Sequence, residues 1–167
     1  ADNARLDRVG AFRSATEHLL QLGHRRIGLL NSYSAQGRLE GYSQAMEAAR
    51  VDYRAVVIGD SEGHKAPPIQ VCIEELITTH PELTALVCTT DRGAQEAIYH
   101  LAQRGLRVPE DISIVSYSNE PWTQWALPPL TTLDQSTAEL CEHTLALMSR
   151  RLEGSEQPWS RRLICPE

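Results

Sequence analysis

At 167 residues the chain is long enough for one domain with a sizeable buried core and too short for two full domains. It carries 16 Lys and Arg against 22 Asp and Glu, a net charge of -6, and has no basic stripe that could pair with a run of phosphates, so we do not expect it to bind DNA by itself. No apolar run approaches the roughly 18 residues of a membrane span, and the first residues lack the layout of a signal peptide. We therefore expect a cytoplasmic protein without a membrane segment.

The chain opens with Ala-Asp-Asn and no initiator Met, so we expect it to be a fragment of a longer protein. Its four cysteines are widely spaced, with no CxxC pair and no histidine at metal-ligand spacing. They are Cys72, Cys88, Cys141 and Cys165. This pattern predicts four reduced thiols in the core rather than a zinc site or a disulfide framework.

Apolar residues recur at helical spacing in some stretches and run continuously in others, so helices and strands are predicted to alternate. The predicted elements are helix 11–22, strand 26–30, helix 36–49, strand 53–58, helix 67–77, strand 83–88, helix 91–105, strand 112–117, an extended segment 130–133, helix 136–154 and a candidate last strand 160–165. Asp91 is expected to cap its helix, and Ser136 and Glu139 to form a capping box. The repeat predicts an α/β fold, a doubly wound, mostly parallel sheet with helices on both faces.

Polar side chains collect where the predicted strands end. In chain order they are Asn31, Tyr33, Arg38, Asp60, Thr90, Asp91, Ser118 and Asn119. Each one alone is more often a turn or cap residue than a ligand contact. Because the carboxyl ends of parallel strands meet at one edge of a sheet, the group together predicts a site for a hydroxyl-rich small molecule.

Trp122 and Trp125 follow this last polar cluster in a chain with only 5% aromatic residues. They either wall a ligand pocket or fill a sheet edge or a protein interface, and the sequence leaves both interpretations open. Trp122 is nevertheless included among the candidate effector contacts.

The usual signatures of an enzyme are missing. The sequence contains no GxSxG elbow, no GxxxxGK[ST] loop and no GxGxxG after a strand. Its adjacent acidic and histidine pairs lie on predicted helices, where neighbouring side chains diverge by about 100°. We expect no catalytic activity, no cofactor and no metal.

Four segments carry a family resemblance: ATEHLLQLGHRRIGLL (15–30), RLEGYSQAM (38–46), VPEDISIVSY (108–117) and PPLTTLDQ (128–135). In this order and spacing they resemble the effector-binding core of the lactose-repressor (LacI/GalR) family of bacterial transcription regulators. The resemblance covers nearly the whole chain. It implies a periplasmic-binding-protein-like pair of α/β lobes that close on a small ligand, often a sugar or nucleobase, and an N-terminal helix-turn-helix domain that binds operator DNA as a dimer.

The resemblance also implies roles for single residues. Arg38 matches the family's effector-contacting arginine in R-x-x-G-[YF]. Ser118 stands where many members have a ligand-binding Asp, and Thr90 stands where an Asn precedes Asp91. These departures leave the binding edge in place and point away from ordinary sugar recognition. Asp7 falls at the V-D-N aspartate, followed by arginine instead of asparagine.

By the same resemblance, residues of about 8–133 and 159–167 belong to the C-terminal lobe, and 134–154 is a helix that packs on the N-terminal lobe. Most of that lobe and the DNA-binding domain are absent from the sequence, so operator DNA would be bound only through the missing domain.

The apolar face of this helix would then lose its partner. That face is formed by Cys141, Leu145, Met148 and Leu152. An exposed stripe of this size usually marks an interface, so we predict a homodimer formed through helix 136–153.

The sequence is therefore interpreted as the sensing core of a LacI/GalR-type regulator that responds to a sugar or related metabolite. The alternative is a periplasmic sugar-binding protein of an ABC transporter with the same fold, which an upstream signal peptide instead of a helix-turn-helix would identify. A third interpretation, a flavodoxin-like enzyme or signalling module, would be favoured by a retained flavin or a phosphorylated Asp.

Overall fold

A computed structural model describes residues 2–31, 36–58, 67–154 and 160–166. The elements are β1 (Asn3–Leu6), α1 (Arg8–Gln21), β2 (Ile27–Asn31), α2 (Gln36–Ala48), β3 (Ala55–Ile58), α3 (Ile69–Thr79), β4 (Ala85–Cys88), α4 (Asp91–Gln103), β5 (Ser113–Ser118), β6 (Thr131–Asp134), α5 (Thr137–Leu152) and β7 (Arg161–Ile164), with a 3-10 turn at Thr123–Trp125. No helix in these ranges has the length and apolar character needed to span a bilayer.

Five strands form one parallel sheet in the order β3-β2-β4-β5-β6. The apolar runs of β2 and β4 are buried along their whole length, as expected for central strands covered on both faces. Because every strand runs in the same direction, all the carboxyl ends lie along one edge of this sheet. We call that edge the rim.

Each face of the sheet carries its own core. Helices α1 and α2 cover one face, where Phe12 and Tyr42 pack against Leu29. Helices α3 and α4 cover the other face, where Ile73 and Leu101 are buried. Neighbouring residues of a strand enter opposite cores, as the alternation of side chains requires. The predicted parallel α/β fold with helices on both faces is confirmed.

Helices α1 and α2 touch closely at Gly41. A Cβ atom at this position would lie 2.2 Å from the carbonyl oxygen of Val9 and 2.8 Å from the amide nitrogen of Arg13. Such distances are far inside van der Waals contact, so only glycine allows this approach of the two backbones. The contact fixes the first turns of both helices beside the rim.

A second, two-stranded parallel sheet pairs β1 with β7, and α5 packs on both strands. Asp2 ties this unit together. Its carboxylate accepts hydrogen bonds from Arg151 Nε at 2.6 Å and from the Ser160 amide at 2.7 Å. The Arg151 bond, followed by the Ser160 bond, holds the pKa of Asp2 well below its ordinary value.

The small sheet adds two features to the sequence prediction. Strand β1 has no signal in the sequence, because its residues alternate between exposed and half-buried and lack an apolar pattern. The candidate last strand at 160–165 corresponds to β7, which pairs with β1 outside the five-stranded sheet.

Two predicted caps are wrong. Thr90, in an extended conformation, caps α4 by accepting a hydrogen bond from the Gly93 amide at 3.0 Å, and Asp91 is the first helical residue. Ser136 adopts φ of 52° and makes no side-chain capping bond, so the Ser136 and Glu139 capping box does not form. The left-handed backbone at Ser136 replaces the extended conformation usual at a helix start.

The expectation of four core thiols is wrong for two of them. Cys72 and Cys88 are buried, whereas Cys141 and Cys165 are exposed. Cys141 lies on α5, which has no fully buried residue, so its exposure follows from the open outer side of that helix.

Candidate functional site

The structure brings most of the sequence-predicted site residues to the rim. Asn31 is the last residue of β2, Thr90 and Asp91 follow β4, and Ser118 ends β5. Tyr33 and Asp60, the other predicted contacts in loops after β2 and β3, lie outside the described residues.

Two buried polar side chains mark the α1/α2 side of the rim. Asn31 is 4% exposed and Tyr117 is 1% exposed. Asn31 lies on the same side of β2 as Ile27 and Leu29, and Tyr117 packs in the same core as these two residues. Within the described part of the chain, neither Asn31 Oδ1 nor the Tyr117 hydroxyl has a hydrogen-bond partner. Unsatisfied buried polar groups are costly, so these two atoms are suited to meeting a ligand or water.

Arg38 lies in the first turn of α2 and is 9% exposed. Its guanidinium carbon stands 5.8 Å from the centroid of the Phe12 ring, a cation–π contact. The Phe12 ring in turn packs on Tyr117 with ring centroids 5.1 Å apart. The stack places the positive charge of Arg38 close to Tyr117.

Asp91 is inside the protein rather than in the site. It is 1% exposed, and its Oδ1 accepts hydrogen bonds of 2.6 Å from both Ser116 Oγ and Thr132 Oγ1. Its Oδ2 accepts one of 2.8 Å from the Glu120 amide. Both carboxylate oxygens are therefore occupied, and Asp91 supports the rim by tying α4 to β5, to the segment after it and to β6.

The exit of β5 has an unusual backbone. Ser118 and Asn119 have φ of 149° and 55°, values that non-glycine residues seldom adopt. The conformation is held by hydrogen bonds: Gln135 Nε2 donates to Ser118 Oγ at 2.7 Å, and Asn119 Nδ2 donates to Asp134 Oδ2 at 2.9 Å. Strain maintained in this way is common at binding sites.

Sequence reasoning missed Asp134 and Gln135 as members of the site. Both residues lie in the PPLTTLDQ motif, but nothing in its sequence indicates that they meet Ser118 and Asn119. Asp134 lines an open groove of about 650 Å³ together with Ser118, Asn119 and the start of α5. Asp134 also accepts a hydrogen bond of 2.6 Å from the Ser136 amide, so the groove joins the large sheet to α5.

The tryptophans lie away from this groove. Trp122 precedes the 3-10 turn and is 38% exposed, whereas Trp125 is 80% exposed. Neither lines the groove, whose walls are Ser118 to Pro121, Asp134 and Ser136 to Glu139. Of the two interpretations left open by the sequence, the surface position of Trp125 favours an interface over a pocket wall.

A further groove of about 580 Å³ separates the first turns of α1 and α2 from the small sheet and α5. Its lining includes Arg5, Arg8 and Gly37. In the described ranges, no group of three or more His, Cys, Asp or Glu side chains could hold a metal ion. The chemistry of the rim is that of hydrogen bonding and charge.

Known proteins share the sequence pattern and the fold of this chain. A family model described as a periplasmic binding protein-like domain covers residues 16–167. The HTH-type transcriptional repressor PurR of Haemophilus influenzae is 35% identical over 161 residues, which is 92% of this chain and 47% of that protein. The ribose operon repressor of the same organism is 30% identical over 156 residues, covering 91% of this chain and 47% of the repressor.

Solved structures of transcriptional regulators have the same fold as this chain. A complex of the transcriptional regulator CelR with cellobiose has a TM-score of 0.90 at 27% identity, covering all of this chain and 52% of that one. A LacI-family regulatory protein from Chloroflexus aggregans has a TM-score of 0.88 at 27% identity, with 98% and 60% covered. The names of these proteins are those of repressors and regulators, and none names an enzyme. The chain spans about half the length of the curated relatives it matches, and it belongs to the LacI/GalR family of transcriptional regulators as an effector-binding, periplasmic-binding-protein-like domain.

Proposed function

We propose that this domain senses a small molecule, a sugar or related metabolite, for a bacterial DNA-binding transcriptional regulator of the LacI/GalR type. The observation that carries the proposal is the buried polar pair at the rim, Asn31 and Tyr117, with Arg38 stacked on the Phe12 ring that packs against Tyr117. Polar atoms left without partners at the carboxyl edge of a parallel sheet are what a ligand site requires.

The proposed effector contacts are those predicted from the sequence, with one change. Asp91 becomes a supporting residue, since its carboxylate is fully used inside the protein. The contacts are then Asn31, Tyr33, Arg38, Asp60, Thr90, Ser118, Asn119 and Trp122, of which Tyr33 and Asp60 lie outside the described residues. Trp122 is the weakest member, because it does not line the groove at the β5 exit.

The domain arrangement is also a proposal. The five-stranded sheet of residues 27–134 with α1 to α4 would form one lobe. The second lobe would be completed by chain beyond residues 1–167, packed on β1, β7 and α5. The outer side of α5 supports this arrangement, because Leu145, Met148 and Leu152 are all exposed there. In the domain alone, the same face would pair two copies into a homodimer.

In the complete regulator, effector binding would favour one degree of closure between the lobes and so change the geometry of paired DNA-binding domains. A ligand can shift such an equilibrium only by its difference in affinity for the two states. Operator DNA would be bound in the cytoplasm through a helix-turn-helix domain. The names of the curated relatives support this over the transporter alternative.

The test is a ligand screen on the complete regulator. Thermal shift would be measured with sugars, sugar phosphates and nucleobases, and each hit would be tested for its effect on operator binding. At least one class should raise Tm and change the affinity for DNA. No response to any class would count against a small-metabolite sensor.

Two variants test whether Arg38 contacts the ligand. Arg38→Lys keeps the charge but removes the planar fork of donors, so it should weaken the hit by about tenfold or more. Arg13→Lys is the matched control, because Arg13 is half-exposed on α1 and pairs with Glu17 on the same helix. Equal affinities in the two variants would remove Arg38 from the site.

A further inference from the structure

The first turns of α1 and α2 bring two arginines to the same corner of the rim. A Cβ atom at Gly37 would lie 3.6 Å from Arg8 Cβ, so Arg8 is in contact with the turn of α2 that carries Arg38. Arg8 and Gly37 both line the groove of about 580 Å³ between these helices and α5. Arg8 thus lines this groove from the first turn of α1, and the neighbouring first turn of α2 carries the buried Arg38.

The charges of both arginines influence the pKa of the buried Tyr117 hydroxyl. Burial raises the pKa of Tyr117, the positive charges of Arg8 and Arg38 act to lower it, and Asp134 acts to raise it. The phenol therefore stays protonated at neutral pH and can donate a hydrogen bond.

The carboxylates of this corner are already engaged by the protein. Asp134 accepts hydrogen bonds from Asn119 and from the Ser136 amide, and Asp7 accepts one of 2.9 Å from the Gly10 amide. In contrast, the Arg8 guanidinium makes no hydrogen bond or ion pair with any residue that the structure describes. Arg8 therefore brings donors and positive charge to this corner, whereas the carboxylates of Asp7 and Asp134 already accept hydrogen bonds from the protein.

We infer that the effector is an anion: a hydroxylated small molecule with a phosphate or carboxylate group held between Arg8 and Arg38, and with hydroxyl groups facing Asn31 and Tyr117. Guanidinium groups bind both oxyanions through paired, charge-assisted hydrogen bonds. The inference rests on the proposed sensing function and names the chemical class of its ligand.

The test compares matched probes on the complete regulator by calorimetry and thermal shift. The first set is glucose, glucose 6-phosphate and gluconate, and the second is ribose, ribose 5-phosphate and ribonate. In at least one set a charged member should bind about tenfold or more tightly than the neutral one, since charge-assisted hydrogen bonds are about twice as strong as neutral ones. The phosphate and carboxylate arms show which oxyanion is preferred.

Arg8→Gln should abolish that preference, so that the charged and neutral probes bind with affinities within about twofold of each other. Arg13→Gln, five residues along the same helix on an exposed ion pair with Glu17, should leave the preference unchanged. Neutral probes that bind as tightly as charged ones, or a preference that survives in Arg8→Gln, would overturn the inference and leave the sensing function standing. Charged probes that bind without altering operator affinity would support the anion site and overturn the regulatory function instead. No binding by any probe would overturn the anion site in this form.

Discussion

The carboxylate of Asp91 and the hydroxyl of Ser116 are joined by a hydrogen bond of 2.6 Å between the start of α4 and the middle of β5. Thr132 and the Glu120 amide donate to the same carboxylate, so one buried charge is satisfied by three donors from separate segments. A buried charge is tolerated only when it is satisfied in this way.

Replacing Asp91 by Ala should lower the free energy of unfolding by about 3 kcal/mol or more, since three buried donors would lose a charged acceptor. Urea titration measures the change. Glu96→Ala on the same helix is the control, because its pair with Arg92 is exposed and should be worth less than about 0.5 kcal/mol. Equal losses in the two variants would show that the Asp91 network contributes little.

Two glycines of α2 should respond in opposite ways to alanine. Gly41→Ala forces a methyl group against the backbone of α1 and should destabilise the fold by about 2 kcal/mol. At Gly37 the nearest atom would be 3.4 Å away, an ordinary contact, and alanine should be neutral or stabilise by up to about 1 kcal/mol. Thermal unfolding of both variants tests the helix packing, and a stable Gly41→Ala would contradict it.

The hydrogen bonds of Asp2 should make the free energy of unfolding depend on pH. Because the pKa of Asp2 is depressed in the folded state, the ionised carboxylate contributes its full stabilisation above about pH 4, the ordinary pKa of Asp. This contribution is lost as the pH falls further. Wild type should therefore be more stable than Asp2→Asn at neutral pH, and this gap should close in acid. A gap that persists unchanged at low pH would show that the charge of Asp2 is not its source.

The four cysteines should react at two very different rates. Cys141 and Cys165 are exposed and should react with Ellman's reagent in the native protein. Burial raises the pKa of Cys72 and Cys88, so little thiolate forms, and both should react only on unfolding. The double variant Cys141→Ser, Cys165→Ser should lose the fast phase, and a fast phase that remains would contradict the assignment.

The domain of residues 1–167 should self-associate through α5. Sedimentation velocity at increasing concentration should show a dimer that Leu145→Glu with Leu152→Glu converts to a monomer, since a charge on each copy would face the apolar surface of its partner. Leu22→Glu places the same charge on an exposed leucine just after the end of α1 and should leave the dimer intact. A wild-type monomer at every concentration would refute this.

The alternation of helices and strands could be predicted because its signal is local: apolar spacing, with Gly23 and Gly105 ending two helices at positive φ. Strand β1 could not, since its pairing partner is β7 at the far end of the chain. The polar rim could be predicted for the same local reason, since polar residues follow each strand. The inward orientation of Asp91 could not be predicted, because its donors Ser116 and Thr132 lie 25 and 41 residues away in sequence.

The pairing of β1 with β7 also orders the folding of the chain. Neighbouring strands of the five-stranded sheet come from one continuous stretch, 27–134, whereas Asn3 meets Arg161 only after nearly the whole polypeptide has been drawn together. Closing so long a loop has a high entropic cost and forms few hydrogen bonds, so we expect the small sheet to assemble last and to open first. Its amides should therefore exchange with solvent well before those of β2 and β4, through partial openings that leave the large sheet intact.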